Sequence, residues 1–220
     1  MIWPAFKLSV LVVSLATLLI GVVGTALGFV LARREFRAKE LCDSLLTLPM
    51  VLPPTVTGYY LIVLLGKHGL LGRYIYQLTG WTVAFTWQGA VVAASVMALP
   101  IMVKSARAAL ELVDRRYETV SFSLGKGELE TFFRVTLPLA SRGVLAGVVL
   151  SFARALGEFG ATLMLAGNIP GRTQTMPLAI FEAFISGEDR QAQLLALILT
   201  VTSILTIYLT NILTRAARST

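Results

Sequence analysis

Apolar residues in this chain gather into long runs, without the strict alternation of a half-buried strand or the narrow stripe of a surface helix. The first run, residues 8–32, carries no charge between Lys7 and Arg33. Four more follow at 45–66, 83–103, 143–167 and 191–214. A helix needs about 20 apolar residues to cross a hydrocarbon layer about 30 Å thick, and every run is long enough. Inside a bilayer the backbone must satisfy its own polar groups, so such runs fold as helices. The pattern predicts an all-α polytopic membrane bundle of five transmembrane helices, a single membrane domain over residues 1–220. The first run exceeds the roughly 7–15-residue core of a secretory signal and lacks a clear cleavage site, so it is read as a retained helix.

Composition agrees with this pattern. Of 220 residues, 56% are hydrophobic and 14% charged, with a mean hydropathy of +0.77. A soluble domain of this size is excluded. Five crossings put the termini on opposite sides, and lysine and arginine mark which side is cytoplasmic. Segments 33–44 and 104–142 with the C-terminal tail hold thirteen of the nineteen basic residues, while Lys7, Lys67, Arg73, Arg172 and Arg190 share the other side. The predicted orientation is therefore N-terminus out, C-terminus in. The net charge of +7 is a topology signal and calls for no nucleic acid. Cys42 and His68 are each the only residue of their kind, so neither a disulfide nor a metal site is expected.

Two runs are interrupted. The second, LLTLPMVLPPTVTGYYLIVLLG, carries Pro49, Pro53 and Pro54. Each removes a backbone donor and clashes with the preceding turn, so the helix must kink or unwind where protein or a cavity satisfies the freed carbonyls. A structural bend is one reading and a pore-lining break the other, with Thr55 and Thr57 as neighbouring hydroxyls. The fourth run carries Arg154 and Glu158, four residues apart on one helix face. Counted from Gly143, they lie about 16 Å and about 22 Å into the span, beyond easy snorkelling. Charges at that depth face the bundle interior. Three roles are open: an ion pair binding helix to helix, a wall of an anion path, or a proton relay. The nearby Gly157 and Gly160 are expected to let helices approach closely.

Residues 104–142 form the one long polar stretch. Its start extends the third helix into the cytoplasm, and Gly125 and Gly127 separate two short helices. Tyr117, Phe122, Leu124, Phe132 and Phe133 load this segment with apolar surface. Either the rings dock back on the bundle and headgroups, or a helix here fits a groove on a partner.

The order Gly125, nine residues, Val135, Thr136, Leu137, Pro138 resembles the cytoplasmic Glu-Ala-Ala loop of ABC importer permeases. The name-giving tripeptide is replaced by Thr119, Val120 and Ser121, with Glu118 one position earlier, and helix propensity falls there. Residues 153–181 and 48–61 resemble the molybdate (tungstate) branch of these permeases, with sulfate permeases as close relatives, and the likeness runs from about Phe29 to the C-terminus. The resemblance implies a non-catalytic permease of the bacterial inner membrane that imports molybdate or tungstate, the alternative being sulfate or thiosulfate. It implies a homodimer, two cytoplasmic ABC ATPase subunits docked on residues 117–135, and an extracytoplasmic oxyanion-binding protein. The docking residues would be Tyr117, Glu118, Phe122, Leu124, Gly125, Phe132, Phe133, Val135, Leu137 and Pro138. The pore or bundle interior would take Pro49, Pro53, Pro54, Thr55, Thr57, Arg154, Gly157, Glu158 and Gly160. The chain has no G-x-x-x-x-G-K-[ST], so ATP and Mg are expected on the ATPase and no cofactor on this chain. A secondary carrier would need its own coupling-ion site and often shows repeats, and no repeat is visible. An intramembrane enzyme would need a catalytic set that the spans lack.

Overall fold

The computed structural model describes residues 2–216, with side chains through Tyr208. It contains α1 (Ile2–Arg33), α2 (Lys39–Val51), α3 (Pro54–Leu65), α4 (Gly72–Thr79), α5 (Trp87–Glu111), α6 (Arg115–Ser123) and α7 (Glu128–Thr131). A π-helical turn (Phe132–Thr136) joins α7 to α8 (Leu137–Leu156), followed by α9 (Gly160–Ala166), α10 (Met176–Ile185) and α11 (Asp189–Ala216). No strand occurs among the described residues.

The frame is α1, α5 and α8, packed through small residues because bilayer lipid rewards close backbone approach more than bulk. Gly24 of α1 lies against Met102 and Gly28 against Ala106, so α1 and α5 run parallel. Gly143 of α8 meets Ala109 and Gly147 meets Ser105, so α8 runs the other way. Two apolar clusters fill this frame. Val12, Ala16, Ile20, Ala94, Ala98 and Ala155 form one, and Met102, Ala106, Leu110, Ala140 and Val144 the other.

Four helices are long and apolar enough to cross a membrane, and the fifth crossing is the pair α2 and α3. The prolines unwind the span expected at 45–66 as their positions predicted, and its two halves differ in direction by 117°. Leu52, placed before a proline, is extended with ψ 144°, and Pro54 restarts the helix at its first turn. Pro49 sits inside α2 without ending it.

The expected fourth span, 143–167, is displaced at both ends. The membrane helix begins at Glu128 and runs 29 residues to Leu156, where the chain leaves the helix before α9 starts. The second short helix expected after Gly127 is continuous with this membrane helix, and Arg134 and Arg142 project from it. Arg154 therefore lies at the far end of α8 and Glu158 beyond it, not midway along one helix. The expected loop 168–190 also holds α10, whose Met176 and Leu178 are fully buried. It packs on Ala5 of α1 and Leu195 of α11. The Met176 amide donates to the Ser9 hydroxyl at 2.7 Å.

The basic segments meet at one end of the bundle. Arg33 pairs with Glu118, Arg34 with Glu128, and Lys104 with Asp43, so 33–44 and 104–142 share a side as their charge predicted. Of the tail's basic residues, Arg218 and the Arg215 side chain lie outside the described residues.

Candidate coupling surface and interior charge pair

At the basic end, α6, the turn and α7 fold into a compact hairpin. Asp114 caps α6, its carboxylate accepting the Arg116 amide at 2.9 Å. The stretch Thr119-Val120-Ser121 stays helical despite its poor propensity. The Thr119 hydroxyl bonds back to the Arg115 carbonyl at 3.1 Å, and Ser121 faces inward to share a hydrogen bond of 2.8 Å with Thr131 of α7. Gly125 turns the chain with φ +79°, a left-handed conformation that side chains resist. Gly127 is the N-cap residue of α7. The π turn then precedes Pro138, which has no amide for the carbonyl four residues back. The Leu137 amide instead reaches Phe132, five residues back.

The apolar load of this hairpin divides between the two faces left open by the sequence. Phe132 turns inward, its ring 4.6 Å from that of Phe29, and Val135 and Leu137 are half-buried at the root of α8. Tyr117, Phe122, Leu124 and Phe133 face outward, as do Val120 and Leu129, which the sequence reading missed. Leu124 keeps 73% and Leu129 75% of its surface exposed. Val120 and Leu129 were legible as lone apolar residues among polar neighbours. Pro138 is also exposed. Arg115, Arg116 and Lys126 are exposed around this ridge. Glu130 bonds Lys126 at 2.8 Å and Arg134 at 3.1 Å. Glu118, expected among the docking residues, points into the bundle and is paired there.

At the far end of α8, Arg154 Nη1 donates to Glu158 Oε2 at 2.8 Å. The other carboxylate oxygen accepts the Ala161 amide at 2.8 Å, which satisfies an orphan donor in the first turn of α9. Glu158 is buried, while the Arg154 side chain keeps 30% of its surface and donors to spare. Gly160 abuts the start of α3, where an added Cβ would lie 3.0 Å from Pro54 Cβ and 3.2 Å from the Thr55 amide. Gly58 faces Ala161 so closely that an added Cβ would lie 2.8 Å from its Cα. The two breaks are thus one locus: Pro53, Pro54 and Thr55 beside Gly160, with Glu158 and Arg154 next along the chain. Thr57 is buried with its hydroxyl unpartnered, as are Ser95 and Ser151, which the sequence did not single out. Pro53, Pro54 and Thr55 are exposed and Pro49 is half-buried. Gly157, expected as a packing residue, is exposed with no neighbour that a methyl would strike. No group of three acidic, histidine or cysteine side chains able to hold a metal occurs among the described residues.

Broken membrane helices around small-residue contacts, with an amphipathic hairpin at the basic end, define a membrane transport component. Residues 24–219 match the family described as binding-protein-dependent transport system inner membrane component, and the chain belongs to that family, as a multi-pass inner-membrane protein. Among curated relatives, the molybdenum transport system permease protein ModB of Escherichia coli (strain K12) is 48% identical over 81% of this chain and 78% of its own. The Haemophilus influenzae protein of the same name is 43% identical, over 86% and 82%. The sulfate transport system permease protein CysT of Salmonella typhimurium is 34% identical, over 95% and 75%. Among solved structures, a bacterial ABC transporter that imports alginate matches with TM-score 0.77 at 12% identity, over 97% of this chain and 78% of that one. The inward-facing MetNI methionine ABC transporter matches with TM-score 0.71 at 14% identity, over 98% and 93%. These two share the fold.

Proposed function

We propose that this chain is the membrane-spanning permease of an ATP-driven importer that carries molybdate, and tungstate of like charge and shape, into the cytoplasm. It works as a homodimer, with an ATPase subunit seated on the hairpin of each copy and an oxyanion-binding protein delivering cargo from outside. The observation that carries the reading is the outward apolar ridge of the hairpin, set at the basic end of a transport bundle that holds no nucleotide motif of its own. The 48% identity to a molybdenum permease supports the cargo. ATP-driven closure of two ATPases brings the two hairpins together, and the bundle, bistable at its broken helices, opens to the other side.

The cargo is a dianion, and Glu158 repels it while Arg154 attracts it. Because Arg154 already offsets Glu158, the anion's contacts fall to the spare Arg154 donors and to unpartnered hydroxyls such as Thr57. The exposed face at Pro53, Pro54 and Thr55 is where the second copy closes the path. A sulfate permease is the second reading, carried by the likeness to CysT. The test is uptake of labelled molybdate into proteoliposomes holding this chain, its ATPase and its binding protein. Uptake should require ATP and all three components and resist excess sulfate. Uptake by this chain alone would instead mark a secondary carrier, and full competition by sulfate would reassign the cargo.

A further inference from the structure

The coupling hairpin is fastened to the membrane frame at one desolvated polar point. On the inner face of α6, Glu118 Oε1 accepts Arg33 Nε at 3.0 Å and the Thr136 hydroxyl at 2.8 Å. Arg33 Nη2 continues to the Val113 carbonyl at 3.1 Å. The end of α1, the link between α5 and α6, α6 itself and the π turn all meet there. The side chains of Arg33 and Glu118 keep 8% and 12% of their surface. The other pair across the same cleft, Arg34 with Glu128, keeps 59% and 48%. An exposed pair is screened and yields easily, whereas a desolvated one with its donors engaged fixes a geometry. Phe132 adds apolar contact with Phe29 and with the cluster of Ala32, Leu110 and Val113, which has no directional bonds. Just above Arg33, Gly28 brings α1 onto the backbone of α5.

Resting on the docking of an ATPase on α6 and α7, we propose that the Arg33–Glu118 pair is the strut that carries the hairpin's displacement into α1 and, through the Gly28 contact, into α5. Both are positioning residues that act through the frame and touch neither the ATPase nor the cargo. Without the strut the hairpin still receives the ATPase, but its movement is absorbed at the turn between α5 and α6 and does not reach the bundle.

The experiment uses the assembled importer in proteoliposomes and reads molybdate taken up per ATP hydrolysed. Co-purification of a tagged ATPase and thermal unfolding in detergent are read alongside. Three variants are compared: Arg33→Lys, Arg33→Met, and Arg33→Met with Glu118→Gln. Arg33→Met should lower uptake per ATP by about tenfold or more, a size usual for coupling between sites, while the ATPase still co-purifies. The double variant leaves no unpaired buried charge, so it should regain thermal stability yet stay uncoupled. Arg33→Lys keeps the charge and most of the coupling. Coupling restored together with stability in the double variant would reduce the pair to a structural tie and overturn the strut. Normal coupling in Arg33→Met would also overturn it. So would loss of the ATPase from Arg33→Met at unchanged thermal stability, which would place the pair at the interface. Failure of the docking itself reads differently: the ATPase would then stay bound to a Leu124→Arg variant, and the strut would fall with the docking.

Discussion

Both oxygens of Glu158 are engaged within the protein, one by Arg154 and one by the Ala161 amide, and its side chain keeps only 2% of its surface exposed. Arg154 is the partner with water and donors to spare. The two substitutions are therefore unequal. Arg154→Met leaves a buried carboxylate with one amide and should cost about 2–3 kcal/mol, the usual loss for a broken buried pair reduced for the exposure of Arg154. Glu158→Gln leaves a cation that can turn to water and should cost less. The double variant should recover part of the loss, as a double-mutant cycle of thermal unfolding in detergent would show. Strict additivity would mean the two are not coupled. If the spare Arg154 donors serve the anion, uptake stays low in the double variant although stability returns. The pairing itself was legible from the spacing of four. The cap was not, because the apolar residues on both sides of Arg154 and Glu158 continue to Gly167 and hide the end of α8 at Leu156.

Among elements, the hairpin is the one whose backbone makes a sharp demand. Gly125→Leu forces a side chain into φ +79° and should cost about 1–2 kcal/mol locally, with no neighbour within 4 Å to clash. The turn then shifts, and stimulation of ATP hydrolysis should be lost while the bundle keeps its thermal stability. Gly125→Asn, which tolerates that conformation, should keep stimulation, and equal loss in both would refute the conformational account. The contact of α3 with α9 makes a different demand. A methyl at Gly58 meets backbone atoms of Ala161, which cannot swing aside, so Gly58→Ala should cost about 1–3 kcal/mol of overpacking in a thermal unfolding assay. Unchanged stability would show that α3 and α9 can part freely. The break between α2 and α3 was legible because prolines dictate it. The helix α10 was not, since its ten residues fall short of a span and its burial depends on α1 and α11. The short α6 survives weak propensity through the Asp114 cap and the inward Ser121, and the latter is visible only once α7 folds back.

For the whole molecule, orientation is the property most firmly written in the sequence, because basic residues are retained on one side and the structure gathers them at one end. With Cys42→Ser as background, Gly127→Cys should label from the cytoplasmic side and Arg172→Cys from the outside, and labelling from the same side would break the five-span arrangement. What the sequence could not convey is which distant segments share a volume, since that is set by packing and not by hydropathy. Gly58 and Ala161 are the clearest instance. A side chain at 58 would strike the Cα and carbonyl oxygen of 161, atoms that every residue type carries, so no exchange at 161 makes room for it. Among relatives of this chain, the position matching Gly58 should therefore stay glycine whatever stands opposite it. An alignment with bulky residues at that position would contradict the contact.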